Sequence, residues 1–484
     1  MNEYIKNKNI IKYILIAAVI VFAFPSILYI FSGKGLVDIK SEFNFLLKDT
    51  KIKEINAILF TTLFSLISII YFNIIKQSNK IFKNMISVIL FIILISTIFT
   101  IVLPFTSTDI YYYMSTGWSE SHYNVNPYYT SINQLKNDGL IDKNDEIIEK
   151  MPQIWEKTTI VYGPLWPLIC RALTSMSGGS LEICLMIFKI FNLIIHIINC
   201  YIISKIINKK KIVLIYGLNP LILFEALSNV HNDIIVVFFI LMALYFIRKK
   251  KQIVPAVIML ALGATLKYYT VLLAPFIVLY YYKDCKTWKK ILYSFALALI
   301  FIITVIIFYS IYARNIEILK GLSVQQEKIT KSIYLIIAMY PTMKPSRGFF
   351  VSKIATNIFI IMYVTLIIIT LFKNTLKMRF SNYIRKYNVI LAIFIFCIIT
   401  NFQTWYIMWL IPTFMYLKAK TINSLLQLTV IAEISNVVFF AINEHYSVGV
   451  WYILTVVILL GIAKIYSFIN KRYMNKFYLS KGES

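Results

Sequence analysis

A single carboxylate follows a hydrophobic run in the stretch TSTDIYYYMSTGW, residues 106–118. Asp109 stands about one helical turn beyond the end of that run, and three tyrosines come directly after Ile110. A carboxylate within hydrogen-bond reach of a hydroxyl can take its proton, so Asp109 is a candidate general base for attack by an alcohol. The alternative is a polar residue at a helix end, with the tyrosines anchoring the membrane boundary.

Other turns between apolar runs carry polar and aromatic side chains that would reach the same boundary. The candidates are Tyr162 in IVYGPLWPL, His231, Asn232 and Asp233 in SNVHND, and Gln403 and Trp405 in NFQTWYIMWLIP. Polar groups there could bind hydroxyl groups, aromatic rings could stack on a ligand, and His231 could also reach an anion. Equally, HND is a typical helix cap, and aromatic residues are common membrane anchors. Because several separate turns converge on one level, we expect a site there.

Three cations are candidates for contact with an anionic leaving group, whose developing charge needs fixed positive groups. Lys267 lies in ATLKYYTVLL with no acidic neighbour in sequence, whereas Arg314 and Arg347 border the basic segment 313–350. An arginine would offer a bidentate contact. The alternative for Lys267 is a side chain that extends to the membrane interface, and for the arginines simple solvated charge.

The composition places these residues in a membrane protein. Of the 484 residues 59% are hydrophobic and 15% charged, and the mean hydropathy is +0.73. The formal charge of +27 would suggest a nucleic-acid partner in a soluble protein, but here the cations stand in short clusters between apolar runs. We therefore expect a lipid bilayer and no nucleic acid as partner. The five cysteines show no metal-binding or redox spacing.

The apolar runs predict an all-α, polytopic transmembrane bundle of about fourteen segments, several of them paired as short hairpins. Long runs occur near 10–31, 55–75, 84–104, 181–207, 291–312, 351–373, 422–443 and 448–468. Shorter runs occur near 212–228, 234–247, 253–266, 270–282, 388–400 and 405–417.

The distribution of basic residues predicts the orientation, because cytosolic loops are enriched in Lys and Arg. The basic clusters fall on the side of the N-terminus, so both termini should be cytosolic in the plasma membrane, and the long acidic segment 105–180 should face outward. Within it, residues 138–157 show helix-like apolar spacing, which predicts that this piece lies along the membrane surface and that the loop bears interfacial helices. The expected regions are N-terminal spans in 1–104, an extracytoplasmic catalytic loop in 105–180, a transmembrane core with the outer turns in 181–417, and a C-terminal hairpin with a basic cytosolic tail in 418–484.

One span carries a polar stripe. In 181–207, Glu182, Lys189 and His196 recur every seven residues, with asparagines three positions after the last two. Ionisable groups inside a membrane are costly, so the stripe should face the bundle interior, where Glu433 is a plausible partner for Lys189. Structural pairing is the favoured interpretation, and a lipid-carrier groove or proton path is the alternative.

The order of these motifs carries a family resemblance over roughly residues 105–415. In this order the motifs resemble those of the GT-C superfamily of integral-membrane glycosyltransferases. They are TSTDIYYYMSTGW, NPYY, YGPLWPL, the NP of Asn219 and Pro220 before HND, the LK of Leu266 and Lys267, and QTWYIMWLIP. Within this superfamily, the chain is most similar to the polyprenol-phosphate-mannose-dependent mannosyltransferases and their bacterial relatives.

The resemblance implies a reaction. In that family an acidic residue at the start of the first outer loop is the catalytic base, which corresponds to Asp109, and a basic residue occurs near Lys267. The implied donor is a hexose, such as mannose, on a polyprenyl phosphate, and the implied acceptor is an extracytoplasmic glycan, lipid or protein hydroxyl. Many members carry paired acids where this chain has Thr108, Asp109 and Ile110. A single base without cofactor or metal is therefore the simpler expectation, with a divalent metal left open.

Two other classes compete with a glycosyltransferase. A transporter or flippase of sugars or lipid-linked sugars would show internal repeats and sites at the membrane midplane, whereas the motifs here cluster at the outer boundary and no repeat is evident. A polymerase or ligase of lipid-linked glycans usually has its large loop late in the chain, whereas here it comes early.

Overall fold

A computed structural model describes residues 2–31, 50–104, 106–142, 144–315, 345–372 and 378–442, together with residues 318, 329, 332 and 334. Every regular element in these ranges is a helix. A chain this apolar satisfies its backbone polar groups in lipid by helical hydrogen bonds within each segment. The predicted all-α class is therefore confirmed.

The first helices lead to the outer loop. They are α1 (Asn2–Phe31), α2 (Thr50–Ile81) and α3 (Met85–Ile101), followed in the loop by α4 (Asp109–Tyr123), α5 (Ile132–Asn137), α6 (Glu146–Glu149), α7 (Gln153–Glu156) and α8 (Leu165–Thr174). A reciprocal cap begins α3, where Asn84 Oδ1 accepts from the Ser87 N–H at 2.9 Å and Ser87 Oγ accepts from the Asn84 N–H at 3.3 Å.

The remaining helices form the core and its periphery. They are α9 (Leu181–Ile206), α10 (Lys210–Gly217), α11 (Pro220–Ser228, which ends as a π-helix), α12 (Asp233–Tyr245), α13 (Ile253–Ala264), α14 (Ala274–Tyr281), α15 (Thr287–Ser310), α16 (Pro345–Phe372), α17 (Phe380–Ile398, with a π-helical end), α18 (Thr404–Tyr416, a 3₁₀ helix) and α19 (Ala419–Ile442).

Five described helices are long and apolar enough to cross a membrane: Ile58–Ile81 of α2, α9, α15, Gly348–Phe372 of α16, and α17. A sixth span results if α10 and α11, which bend by 41° at their junction, count as one broken span. The chain is thus a multi-pass membrane protein. The expected total of about fourteen segments is not confirmed within the described residues, because several apolar helices are shorter than a bilayer crossing, as the sequence also indicated.

The outer loop packs on itself through α4 and α8. Gly117 allows the closest approach, since a Cβ at that position would lie 2.5 Å from the backbone carbonyl carbon of Cys170. The buried carboxylate of Glu120 accepts from the Tyr312 hydroxyl at 2.8 and 2.9 Å and from Arg171 Nη1 at 3.3 Å. These contacts tie α4 to α8 and to the turn after α15.

The helix-like spacing over 138–157 corresponds to short helices rather than to one continuous helix, and their expected position along the membrane surface stays a prediction. The structure has two four-residue helices there, α6 and α7, separated by Pro152. Asp145 caps α6 at Ile148, and its other oxygen accepts from Trp118 Nε1 and the Tyr123 hydroxyl, each at 2.7 Å. The apolar side chains of Ile147 and Ile148 are fully buried, so they serve the packing of the loop rather than contact with lipid.

The polar stripe of α9 holds the broken span in place. Asn192 Nδ2 donates to the carbonyls of Ala226 and His231, at 2.8 and 3.3 Å. Asn199 Nδ2 donates to the Ile234 carbonyl at 3.1 Å, and the His196 ring faces the Gly217 carbonyl at 3.1 Å. The interior position of these residues is as expected. Glu182, by contrast, is exposed at the start of α9.

Lys189 has different partners from the one expected. Its Nζ donates to three backbone carbonyls, those of Val102 at 2.7 Å, Leu227 at 3.2 Å and Ser228 at 3.0 Å. An ammonium has three protons, so no donor is left for Glu433. The carbonyls come from the π-helical end of α11 and from the residue after α3, where helical pairing leaves acceptors unsatisfied. Lys189 therefore joins the segment before Asp109 to the segment before His231.

Some expectations lie outside the described residues. They include the span near 448–468, the basic C-terminal tail, and most of the second outer loop, 316–344.

Candidate active site

A cluster of five ionisable side chains, here called the Asp109 cluster, forms where the outer loop meets the core: Asp109, Glu225, His231, Asp233 and Lys267. Asp109 is the first residue of α4. Its Oδ2 lies 3.7 Å from His231 Nδ1, and the other ring nitrogen, Nε2, lies 3.2 Å from Glu225 Oε2. One imidazole thus stands between two carboxylates.

The turn that carries His231 is strained. Val230 has φ of 62°, a left-handed conformation that costs a β-branched residue about 1–3 kcal/mol. The turn is fixed by the His231 N–H, which donates to the Glu225 carbonyl at 3.0 Å. Trp405 of α18 stacks on the imidazole, with ring centroids 3.7 Å apart. The imidazole is consequently held in one orientation and fully enclosed.

Glu225 is a buried carboxylate with several donors. Asn229 Nδ2 donates to its Oε2 at 2.8 Å, and Thr404 Oγ1 donates to its Oε1 at 3.2 Å. The amide of Asn229 also donates to Thr106 Oγ1 at 2.6 Å, in the segment just before Asp109. Buried charge is tolerated only with such partners, and the two donors named here come from the turn of Glu225 itself and from the start of α18.

Asp233 and Lys267 form the second half of the cluster. Lys267 Nζ donates to Asp233 Oδ2 at 2.7 Å, and Trp409 Nε1 donates to Asp233 Oδ1. Three aromatic rings surround the ammonium, those of Tyr162 and Tyr406 at 5.5 Å and that of Trp409 at 5.9 Å. Ring faces attract a cation at these distances.

A close backbone approach brings Tyr162 to Lys267. The Gly163 N–H donates to the Leu266 carbonyl at 3.2 Å, and the Leu165 N–H donates to the Thr265 carbonyl at 3.1 Å. A Cβ on Gly163 would lie 2.2 Å from the Thr265 carbonyl oxygen. The glycine of YGPLWPL is therefore what lets the outer loop dock on the segment that carries Lys267.

Two charged groups of the cluster reach solvent. The Asp109 side chain is 18% exposed and that of Lys267 is 13% exposed, whereas Glu225, His231 and Asp233 are each 0% exposed. Burial raises the pKa of Asp109 above its ordinary value, although the positive charges of His231 and Lys267 lower it. The accessible groups are thus one carboxylate, which is poised to accept a proton, and one ammonium.

The structure brings together Asp109, His231, Asp233, Lys267, Tyr162 and Trp405 from the predicted site residues. The complete burial of the 231–233 turn differs from the exposed outer turn that the sequence suggested, because α18 and the segment before α4 cover it. Both amide atoms of Asn232 are buried and have no hydrogen-bond partner among the residues that the structure describes. Gln403 precedes α18 and donates to Asn401 Oδ1 at 2.9 Å.

The two arginines are placed differently. Arg314 is exposed after α15, with its guanidinium 5.7 Å from the Tyr129 ring, and its described contacts are with that tyrosine. Arg347 falls in the first turn of α16, and its side chain lies outside the described residues. Their proposed phosphate contacts stay predictions.

Sequence reasoning missed Glu225, Asn229, Thr404, Tyr406 and Trp409. Glu225 offered a signal, since a single acid within the apolar run LILFEALS is costly unless it has a function or a partner. Tyr406 and Trp409 stood inside the quoted motif QTWYIMWLIP, and the spacing could have grouped Trp409 with Trp405, four residues before it, and with Tyr406, three residues before it.

Across the part of the chain that the structure describes, no group of three or more His, Cys, Asp and Glu side chains is arranged to hold a metal ion. The expectation of a metal-independent reaction stays a prediction.

Comparison with known protein families gives one match. Residues 33–283 match the model of the MptA_B family, described as alpha-(1->6)-mannopyranosyltransferase, N-terminal domain. The chain belongs to this mannosyltransferase family. Comparisons with curated proteins and with solved structures find no match.

Membership in the mannosyltransferase family confirms the resemblance stated from the sequence and makes the chain a membrane glycosyltransferase. The matched segment contains all five residues of the Asp109 cluster, and it ends before α18, which supplies Trp405 and Trp409. The mannosyltransferase match therefore covers the charged groups of the cluster but not the aromatic helix that encloses them.

Proposed function

We propose that the protein transfers mannose from a polyprenyl-phosphate donor to a hydroxyl of an extracytoplasmic acceptor, with Asp109 as general base. The observation that carries the proposal is the pattern of exposure: Asp109 is the carboxylate of its cluster that reaches solvent, and Lys267 is the cation that does. A base for the acceptor and a positive group for the leaving phosphate are what this transfer needs.

The reaction follows from this placement. The acceptor oxygen attacks the anomeric carbon of mannose while Asp109 takes its proton. The bond from the anomeric carbon to the phosphate oxygen breaks, its electrons stay on the phosphate, and Lys267 stabilises the charge. Half-buried Tyr162 and Tyr406 offer ring faces for the sugar beside the ammonium.

The stereochemistry is also part of the proposal. A single base without an opposing nucleophile favours one displacement with inversion, by analogy with inverting glycosidases. The family description names an alpha-(1->6) linkage. An alpha product of one inverting step requires a beta-linked donor, and the acceptor hydroxyl is then the 6-hydroxyl of a mannose residue.

The experiment supplies the purified protein in nanodiscs with radiolabelled mannose on a polyprenyl phosphate, or on a nucleoside diphosphate, and with an alpha-linked mannose oligomer as acceptor. We expect transfer from the lipid donor alone, with a new alpha-(1->6) linkage in the product. Transfer from the nucleotide donor would contradict the proposal. Movement of lipid-linked sugar across proteoliposomes without transfer would favour a flippase.

A further inference from the structure

His231 and Glu225 have no part in the proposed transfer, although both are fully buried beside its base. Each nitrogen of the His231 ring faces a different carboxylate, Asp109 at 3.7 Å from Nδ1 and Glu225 at 3.2 Å from Nε2. A neutral imidazole carries one proton and would turn a lone pair toward one of the two carboxylates. An imidazolium carries a proton on both nitrogens, so it is the form that suits this position.

The ring environment also suits a cation. Trp405 covers the imidazole at 3.7 Å, with the ring planes inclined by 19°. A tryptophan face is the strongest of the aromatic partners for a positive charge. The ring has no exposed surface through which water could replace these contacts.

The charges around Glu225 indicate which carboxyl is ionised. Besides His231, the Glu225 carboxyl meets the donors Asn229 and Thr404 and the carboxyl group of Glu433 from α19. Two buried carboxyl groups in contact share a proton. Because Asn229 and Thr404 both donate to Glu225, Glu225 is the ionised member. On the other side, Asp109 is influenced by Lys267 and Asp233 as well as by His231.

We propose that His231 is a positioning residue for the base, held as an imidazolium by Glu225, and that it keeps Asp109 ionised and oriented toward the acceptor. The inference rests on the proposed role of Asp109 as base. During transfer the acceptor proton moves to Asp109, the phosphate leaves with the bonding electrons, and His231 retains both of its protons.

The first test compares the pH dependence of kcat/KM for the wild type, His231→Gln and His196→Gln. His196 is a matched control, since it is also fully buried and also stacks on an aromatic ring, that of Tyr216 at 5.3 Å, but faces the backbone carbonyl of Gly217. Without the imidazolium the pKa of Asp109 rises, so the acid limb of the His231→Gln profile should move up by about 1–3 pH units. The rate should recover at high pH, and the His196→Gln profile should keep the wild-type limb.

A uniform loss of rate at every pH, or a limb that does not move, would overturn the inference and assign His231 a packing role. The same experiment includes Asp109→Asn. If Asp109→Asn keeps its activity, the proposed function fails together with the inference. If Asp109→Asn is inactive while the His231→Gln limb stays in place, only the inference fails.

The second test needs no activity. The chain has four histidines, so nitrogen NMR of ring-labelled histidine can identify His231 as the signal lost in His231→Gln. We expect both ring nitrogens of His231 to be protonated at pH 7.5 in the wild type, and one to lose its proton in Glu225→Gln. A neutral His231 ring in the wild type would overturn the inference even if no donor turned over.

Discussion

Two residues of the Asp109 cluster, Asp109 and Lys267, are in contact with solvent. In the proposed transfer, the partly exposed Asp109 meets the acceptor, and the partly exposed Lys267 meets the phosphate while it stays paired to buried Asp233 at 2.7 Å. Removal of Lys267 therefore has two effects, because it takes away the cation for the donor and leaves a buried carboxylate without its partner.

These two effects can be separated by a double substitution. Lys267→Met alone should lose most of the folded protein, since breaking a buried ion pair costs about 3–5 kcal/mol. Lys267→Met with Asp233→Asn removes both charges and should restore the folded yield but not the transfer of mannose. Thermal stability in detergent and donor turnover are measured side by side. A double variant with wild-type turnover would show that Lys267 does not contact the donor.

At the scale of helices, α9 positions the cluster through backbone carbonyls. Lys189 links Val102 to Leu227 and Ser228, and Asn192 holds the carbonyl of His231. The segment before Asp109 and the turn that carries His231 are thus fastened to one helix. The relative position of Asp109 and His231 depends on this fastening.

Lys189→Met should consequently lower the amount of folded protein. Three buried carbonyls would lose their donor, and an unsatisfied buried polar group costs about 1–3 kcal/mol. The measurement is the melting temperature by size-exclusion chromatography after heating. Ile190→Met, on the lipid-exposed side of the same helix, is the control and should melt as the wild type does. A folded Lys189→Met variant that fails only to bind the lipid donor would instead support a carrier groove.

The helices also show which features a sequence can predict. Long apolar runs such as 181–207 predicted α9 because only a helix satisfies the backbone in lipid. The order of motifs predicted that Asp109, HND and QTWY would meet. The partners of Lys189 could not be predicted, because they are backbone carbonyls at the π-helical end of α11 and just after α3, where helical pairing leaves acceptors available. The division of 138–157 into short helices could not be predicted, because Asp145 accepts hydrogen bonds from Trp118 and Tyr123, which are distant in sequence.

At the scale of the whole molecule, the proposed transfer requires the outer loop to face away from the cytosol. α12 begins at Asp233 of the Asp109 cluster, and the basic cluster Arg248–Lys251 follows its other end, an order that the positive-inside rule favours for an outward-facing loop. Orientation decides which donor is available, since a lipid-linked sugar can serve at the outer surface where soluble sugar nucleotides are not supplied.

Thiol labelling in intact cells tests this orientation. With Cys285 and Cys397 replaced by serine, Asn137→Cys in the exposed part of the outer loop should react with a membrane-impermeant maleimide. Lys250→Cys, also exposed, should react only after permeabilisation. The opposite pattern would place the Asp109 cluster in the cytosol and exclude the extracytoplasmic acceptor.

The central claim is that Asp109 removes the proton of the acceptor. Its most direct test is mannose transfer from a polyprenyl-phosphate donor by Asp109→Asn in nanodiscs, beside Asp138→Asn, which changes an exposed acid of the same loop. We predict that Asp109→Asn folds and loses activity by about 10²–10⁴-fold, the usual contribution of a general base, while Asp138→Asn retains it. Equal activity of the two variants would contradict the claim and reduce Asp109 to a residue at a helix end.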